Sequence, residues 1–469
     1  MTNPDDTLDR RNVLKLSGGS LATMAGLAGC LNSGEPGDGS GTKTGGGDGE
    51  DTDSSTDTGG SGDQVGSLKF WHKETGNKPL MKEIAQSFEG PEITVNSFAE
   101  SKMPQQLQSS LSANKAPHVV ESKLRTAQLL DANDALSAES AQNVMERIGW
   151  DNWFEGPKSV VGGKEAYTVP WYAWILMTFH RKSVWEEKGL PKPTTWSNIE
   201  ECAEANHDPD NNKFGIGIGT KNNYFTTECF QNFALSNGGR VFSADGEIIF
   251  DSEEIIEALE FYAHLHNEYG LPGQNSYPTI KQMYFNESTS LVQWSDWLLP
   301  VIWDEASPEM AKNTGVVGYT EKKEKGTFGM VNTLSILNVE SDEEQQAAEE
   351  FAYHLQQGEP YLKWVHSMPL GPNPSTKTAA NSDDYLNGKY VPEKFEGMFE
   401  AFSDELSMIR EGFGALQRFG TVDGNSFSSY GPITSKQLIS EAITRVIQGE
   451  DAQIVAEEQA DKMRDEVSS

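Results

Sequence analysis

Strand-like and helix-like segments alternate between residue 67 and about residue 131. This alternation restricts the possible folds of the chain more than any other feature of the sequence. The strand-like segments are short and apolar, whereas the helical ones repeat apolar residues every four positions, as Met103, Leu107 and Leu111 do. The order predicts βαβαβα units and a mostly parallel sheet with helical crossovers. Strands are predicted at 67–72, 92–98 and 118–121, and helices at 78–89, 103–114 and from 122 to about 131.

The middle and the end of the chain continue this mixed pattern. A long strand-like run, interrupted by Pro170, occupies 165–181, and a helix that Thr195 or Ser197 can cap follows at 193–206. The chain as a whole is therefore predicted to be an α/β protein. Its further predicted elements are a helix at 250–270 ended by Gly270 and Pro272, a strand at 327–338, an acidic helix at 341–360 and two C-terminal helices separated by Gly449.

The first thirty residues have the organisation of an export signal. Arg10 and Arg11 precede a short apolar run that ends in Leu-Ala-Gly-Cys30. The arginine pair resembles a twin-arginine (Tat) signal, and the last four residues resemble a lipobox, which implies cleavage before Cys30 and a lipid on its sulfur. An ordinary signal with an incidental cysteine is the alternative. Residues 1–29 are thus predicted as the signal and 30–66 as a lipidated cysteine followed by a Gly/Ser/Asp tether of about 30–36 Å.

The chain is strongly acidic, with 71 Asp and Glu against 37 Lys and Arg and a net charge of -34. No basic stripe is present that would displace counterions from phosphates, so we expect no nucleic-acid partner. The acidity resembles that of proteins secreted by extreme halophiles, whose self-repulsion is screened in molar salt. It also favours a neutral ligand over an anionic one.

Signals for a cofactor or a metal are weak. Asp208, Asp210 and Asn212 are spaced like the start of a calcium loop, but the glycine and the closing carboxylate are missing, so we predict a polar turn. No zinc-enzyme histidine spacing and no nucleophile or phosphate-loop motif occurs. We therefore predict no catalytic residue, no metal and no cofactor. Asn286 begins a glycosylation sequon, and Cys202 and Cys229 either form one disulfide or, as we favour, are separate buried thiols.

Six segments in order resemble the sugar-type extracellular solute-binding proteins of ABC importers, distantly including maltose-binding protein. The resemblance covers 67–469. It rests mainly on three patterns. The opening strand ends in an aromatic residue followed by His, and a later strand follows Gly-Lys, contains Pro and an aromatic residue, and precedes Pro-x-Thr-Trp. The third pattern is a Gly-Gly turn before a helix that contains Ala-Leu. The segments are "KFWHKETG" (69–76), 163–201, 235–265, "LVQWSDW" (291–297), "MPLGPNPS" (368–375) and "SEAITRVIQGE" (440–450).

The resemblance implies a two-lobed periplasmic-binding-protein fold of type II, with a hinge and a ligand cleft between the lobes. It places chain crossings near 170–172 and 326–329. Lobe 1 is then 67–171 with 328–385, and lobe 2 is 172–327 with 386–469.

The resemblance also selects candidate ligand contacts, because sugars stack on aromatic rings and need polar partners for their hydroxyls. Several candidates follow strands, where ligands of open α/β sheets bind. Trp174, Trp185 and Trp196 are instead predicted as core, and Trp303 and Trp364 are equally consistent with either role. The candidate contacts are Trp71, His72, Glu74, Glu121, Ser122, Trp171, Tyr172, Tyr224, Trp294, Asp296 and Trp297.

The functional hypothesis is a lipid-anchored receptor on the outer face of the cell membrane, not an enzyme. It would act as a monomer, bind a sugar or small oligosaccharide and deliver it to the membrane subunits of an ABC permease. The alternatives are a surface-anchored carbohydrate-active enzyme and a ligand-sensing receptor subunit, with polyols or a peptide as other possible ligands.

Overall fold

The computed structural model describes residues 65–73 and 75–468. The predicted signal, Cys30, most of the tether and Glu74 therefore lie outside the described residues. Within the described part of the chain, no helix combines the length and the apolar character that crossing a membrane requires.

The described chain alternates strands and helices as the sequence predicts. In chain order, the strands are β1 (Leu68–His72), β2 (Ile93–Ser97), β3 (Val119–Lys123), β4 (Val169–Arg181), β5 (Leu291–Ser295), β6 (Thr314–Val317), β7 (Thr320–Glu321), β8 (Lys325–Ile336), β9 (Asn373–Pro374), β10 (Leu416–Gln417), β11 (Thr421–Val422) and β12 (Asn425–Ser426).

The α-helices surround these strands. In chain order, they are α1 (Lys78–Gln86), α2 (Met103–Ser112), α3 (Leu124–Asp131), α4 (Ala138–Ile148), α5 (Glu155–Val160), α6 (Lys182–Lys188), α7 (Trp196–Asn206), α8 (Tyr224–Ser236), α9 (Glu253–Tyr269), α10 (Tyr277–Phe285), α11 (Leu298–Val301), α12 (Pro308–Lys312), α13 (Asp342–His354), α14 (Gly358–His366), α15 (Lys377–Ala380), α16 (Asp383–Leu386), α17 (Met398–Ala401), α18 (Leu406–Gly414), α19 (Tyr430–Ser435), α20 (Leu438–Ile447) and α21 (Ala452–Ser468).

The main sheet has the order β2-β1-β3-β8-β4-β5. Strands β1, β2 and β3 are parallel, as the βαβαβα pattern predicts. The prediction of a mostly parallel sheet is wrong beyond them, because β8 is antiparallel to β3 and β4 is antiparallel to both β8 and β5. β8 therefore runs against both of its neighbours, β3 and β4, in the middle of the sheet.

Strand β4 links two regions of the sheet, and Pro170 lies inside it instead of interrupting it. The pairing with β8 shifts register between Pro170 and Tyr172, and such an irregularity is where a strand tolerates a residue without an N–H donor. β4 pairs with β8 up to Ile175 and with β5 from Leu176 onward. β8 changes partner in a similar way, since Phe328 pairs with β10 and Gly329 pairs with β4.

Helices cover each region of the sheet separately. Around β1–β3, α13 packs against α4 and against β1 and β8. In the second region, α8 packs on β8, and α9 packs against α8, α20 and α21. Thr195, one of the two predicted caps, accepts the N–H of Asn198 and begins α7. Gly449 has a φ of 97°, which only glycine adopts at low cost, and it separates α20 from α21.

Candidate functional site

A cavity of about 340 Å³ lies where the two regions of the sheet meet. One wall comes from the end of β3 and from α3. The opposite wall comes from the start of α8, the segment after β10, α19 and the end of α21. This volume falls within the range of small-molecule sites. The lining residues are Lys123, Arg125, Gln128, Leu129, Tyr224, Met330, Arg418, Ser428, Ser429, Tyr430, Gly431, Pro432, Thr434, Glu466 and Val467.

The central strand β8 supplies the floor of this cavity through Met330. Paired residues of neighbouring strands share a face, so Trp174, which pairs with Met330, lies on the cavity side of the sheet. Asn332 is the next β8 residue on that face, because side chains alternate along a strand. It pairs with both Lys123 and Tyr172. Its Oδ1 is buried without a hydrogen-bond partner among the described residues, which leaves an acceptor at the edge of the site.

Arg418 brings a positive charge into the cavity wall. Its Nη1 donates to the carbonyl oxygen of Gly329 at 3.1 Å and lies 2.7 Å from the sulfur of Met330. Its guanidinium carbon is 5.4 Å from the centre of the Phe328 ring. The side chain is only 8% exposed. These contacts fix the guanidinium against the floor of the cavity.

Two of the other charged residues in the lining are already paired with protein partners. Lys123 Nζ lies 2.6 Å from a carboxylate oxygen of Glu100. Glu466 forms an ion pair with Lys436. Lys123 and Glu466 thus have ion-pair partners that lie outside the lining.

The two sides of the cavity approach each other closely in this region. A β-carbon on Gly431 would lie 3.5 Å from Nη2 of Arg125, so α3 closely approaches α19. The hydroxyls of Tyr167 and Ser426 are hydrogen-bonded at 3.3 Å. Burial of Tyr167 raises the pKa of its phenol well above the ordinary value, so it stays neutral. The Tyr167–Ser426 hydrogen bond thus joins the segment before β4 to β12.

Among the sequence-predicted contacts, Tyr224 lines the cavity. His72, Glu121 and Tyr172 come together in a buried network beside it. The Tyr172 hydroxyl donates to Oε1 of Glu121 at 2.7 Å. Nδ1 of His72 lies 3.8 Å from Oε2 of the same carboxylate, and its Nε2 lies 2.7 Å from the hydroxyl of Ser97. The network joins β1, β2 and β3 to the linking strand β4.

Trp171 lies in an aromatic stack behind this network. Its ring is 5.0 Å from that of Trp364, with 7° between the planes, and its Nε1 donates to the carbonyl oxygen of Leu355. Trp171 is fully buried and Trp364 is 2% exposed. Both indoles therefore pack in the protein interior in this conformation.

The segment after β5 forms a second buried group. Oδ2 of Asp296 accepts the backbone N–H of Ile175 at 3.1 Å and the side-chain N–H of Asn373 at 3.0 Å. Trp294 donates through Nε1 to the carbonyl oxygen of Tyr277. Trp297 is half-buried and packs against Gly371. This group lies at the point where β4 changes its partner.

The other two described candidates are also buried. Trp71 packs on Phe98 with 4.6 Å between ring centres. The Ser122 hydroxyl lies 3.1 Å from those of Thr333 and Ser335, on the opposite face of β3 from Glu121. The structure thus gathers the candidates on neighbouring strands, but it brings only Tyr224 to the described cavity.

The sequence analysis did not select several residues that line the cavity, in particular Arg125, Met330, Arg418 and Gly431. It gave most weight to aromatic residues on or after strands, which are buried or half-buried in this structure. One sequence signal could have indicated Arg418. The chain has few basic residues, and this arginine lies between Gln417 and Phe419 with no carboxylate beside it in the sequence.

Five further tryptophans are buried or half-buried, and so are the two cysteines. Trp174, Trp185, Trp196 and Trp364 are buried, and Trp303 is half-buried. Cys202 and Cys229 are separate, buried thiols, which is the alternative favoured from the sequence. Burial raises the pKa of the Cys202 thiol to about 12, and that of Cys229 rises further. Among the described residues, no group of His, Cys, Asp and Glu is arranged to hold a metal ion.

Comparison with known proteins gives concordant matches. The family described as bacterial extracellular solute-binding protein matches residues 72–356. The putative ABC transporter periplasmic-binding protein YcjN of Escherichia coli K12 is 26% identical over 392 residues, covering 82% of this chain and 88% of that protein.

Solved structures share the fold. The sugar-binding protein MalE from Xanthomonas citri aligns with a TM-score of 0.70 and 17% identity, covering 86% of this chain and 97% of that one. An ABC transporter solute-binding protein from Thermotoga lettingae with bound α-D-tagatose aligns with a TM-score of 0.61 and 20% identity, covering 86% and 100%. The two-lobed periplasmic-binding-protein fold expected from the sequence is thereby confirmed.

Proposed function

The chain belongs to the family of bacterial extracellular solute-binding proteins, and we propose that it captures a sugar or small oligosaccharide outside the cell and delivers it to an ABC permease. The observation that carries this proposal is the cavity whose opposite walls come from different regions of the sheet. A solute bound there contacts both lobes at once. It therefore favours the closed arrangement, which a permease can distinguish from the open one.

The lobes of the proposal follow the ranges expected from the resemblance, 67–171 with 328–385 and 172–327 with 386–469. The changes of pairing partner in β4 and β8 support crossings in these two strands. In β8 the change falls between Phe328 and Gly329, inside the expected segment. In β4 it falls between Ile175 and Leu176, a few residues after Tyr172, so the first hinge of the proposal extends to Ile175.

The proposed solute contacts begin with Tyr224, whose ring lies at the cavity. Phe328, Trp174 and Met330 extend an apolar surface beneath it, since the rings of Tyr224 and Phe328 lie 6.2 Å apart. Such a surface suits the C–H face of a sugar ring. Asn332 Oδ1 offers an acceptor for a hydroxyl. That Trp71, His72, Glu74, Glu121, Ser122, Trp171, Tyr172, Trp294, Asp296 and Trp297 contact the solute remains a prediction.

The location that we propose is the outer face of the cell membrane. Residues 1–29 would act as a twin-arginine lipoprotein signal, Cys30 would carry the lipid, and 30–66 would tether a monomeric receptor near its permease. The supporting features are the arginine pair and the Leu-Ala-Gly-Cys sequence. The acidic surface would suit an extracellular medium of high salt.

The proposal is tested by native mass spectrometry of the full chain with neutral and acidic sugars, oligosaccharides and polyols in parallel. We expect a one-to-one complex with at least one of them, and we expect the solute to be recovered chemically unchanged. Recovery of a hydrolysed product would instead indicate a carbohydrate-active enzyme. Absence of any complex would reject sugar capture.

A further inference from the structure

We propose that the captured solute is an anionic sugar, one whose carboxylate or ester oxyanion pairs with Arg418. This inference rests on the proposed function and specifies the class of solute that the same cavity takes. It departs from the neutral ligand that the overall acidity of the chain favours.

The first argument is that the charge of Arg418 is buried and lacks an acidic partner. The described residues that it contacts are Gly329, Met330 and Phe328, and no acidic side chain among them pairs with it. Another buried arginine, Arg181, has Glu287 within 4.0 Å. A buried guanidinium without an anion is unfavourable, and a ligand that supplies the anion removes this cost.

The second argument is geometric. Nη1 of Arg418 donates a hydrogen bond to the backbone carbonyl of Gly329, and the Arg418 side chain lines the cavity. The remaining N–H groups of the guanidinium fork are thus available for a ligand oxyanion. A planar fork fixed in this way suits two parallel hydrogen bonds to a carboxylate.

The third argument concerns the rest of the cavity. Arg125 lines it from α3, so two guanidinium groups face the same space from opposite walls. The acid in the lining, Glu466, forms an ion pair with Lys436. The negative surface acts against an anion over long distances, but salt screens that repulsion within about 10 Å at 0.1 M and about 3 Å at 1 M. Close contacts in a buried site are screened much less.

The test is isothermal titration of the full chain with matched solutes. The pairs are glucose with glucuronate and galactose with galacturonate, and glucose 6-phosphate distinguishes an ester oxyanion from a carboxylate. We expect the acidic member of at least one pair, or the phosphate ester, to bind about tenfold to a hundredfold more tightly than the neutral sugar, as charge-assisted hydrogen bonds do. Arg418→Gln should abolish this preference, and Arg418→Lys should restore part of it.

The control variant is Arg147→Gln, which removes an exposed arginine paired with Glu350 and should leave binding unchanged. If Arg418→Gln does not fold, Arg125→Gln is the second variant, because it also removes a positive charge from the cavity lining. Neutral sugars that bind as tightly as their acidic partners, or a preference that survives Arg418→Gln, would overturn the inference and leave sugar capture standing. Absence of binding by every solute would overturn both.

Discussion

The hydroxyl of Tyr172 donates a hydrogen bond to the buried carboxylate of Glu121 at 2.7 Å, and this contact joins the linking strand β4 to β3. Both side chains are buried, with exposures of 2% and 0%. A buried bond of this kind fixes the two strands relative to each other and is therefore placed to stabilise the protein.

Tyr172→Phe should lower the free energy of unfolding by about 1–3 kcal/mol, because a buried carboxylate loses a hydrogen-bond donor. Urea unfolding followed by circular dichroism measures this loss. Tyr390→Phe is the matched control, since its hydroxyl faces exposed Glu359 at 3.5 Å and its removal should change stability by less than about 0.5 kcal/mol. Equal effects of the two substitutions would contradict a structural role for the buried bond.

Trp171→Ala should reduce stability by about 3–5 kcal/mol, the range for removing a large buried aromatic ring. The reason is the loss of the stack on Trp364 and of the bond to Leu355. Half-buried Trp303 is the comparison, and Trp303→Ala should have a smaller effect in the same denaturation experiment. If Trp171→Ala unfolds the chain, Trp171→Phe serves as the milder substitution. A stable Trp171→Ala protein would show that this indole is not part of the core.

Cys202 and Cys229 should remain unmodified by a thiol reagent in the folded protein and react in denaturant. Both thiols are buried, and their raised pKa values keep the reactive thiolate scarce at neutral pH. Thermal stability should be the same with and without a reductant. A mass decrease that denotes a disulfide between them, or rapid modification without denaturant, would contradict this account.

His366 should make stability decline as the pH falls from about 6.5 towards about 4. The backbone N–H of Tyr390 donates to its Nδ1, and its Nε2 lies 3.2 Å from the carbonyl oxygen of Tyr385, which fits a neutral ring. Burial lowers its pKa to about 4, whereas in the unfolded chain the ordinary value is about 6.5. The unfolded state thus takes up the proton first. The free energy of unfolding falls by up to about 1.4 kcal/mol per pH unit in that window.

The measurement is urea unfolding at a series of pH values for His366→Gln and for His264→Gln, a substitution of an exposed histidine. His366→Gln should flatten the decline between pH 6.5 and pH 4 more than His264→Gln does. Buried His180, whose pKa burial also lowers to about 4, contributes equally in both variants and cancels in the comparison. Parallel profiles for all three proteins would exclude this role of His366.

Local patterns predicted the elements of this fold well, because they depend on neighbouring residues. The spacing of Met103 and Leu107 and the stop at Gly449 each report a short-range constraint that the structure retains. Sheet direction depends on where a distant segment returns, and nothing local marks β8 as antiparallel to β3. The two-lobed fold came from resemblance, not from residue patterns.

The candidate site was less predictable for the same physical reason. Alternation along a strand tells which side chains share a face, but not whether that face meets a cavity or another lobe. Trp171 and Trp294 were selected as aromatic surfaces for a solute; both rings are buried in this structure, and their contact with a solute stays a prediction. Arg418 and Gly431 reach the cavity from segments far away in sequence, and only the folded chain reveals their proximity to Arg125.

Isothermal titration with a cavity-filling variant tests capture between the lobes most directly. Gly431 lines the cavity, and a side chain there would point towards Arg125, so Gly431→Trp should fill the site without requiring a left-handed backbone. Gly414→Trp is the control, because Gly414 is exposed and has open space around it.

The account predicts saturable one-to-one binding of a sugar by the native chain and by Gly414→Trp, with at least a hundredfold loss of affinity in Gly431→Trp. Undiminished binding by a folded Gly431→Trp protein would contradict it.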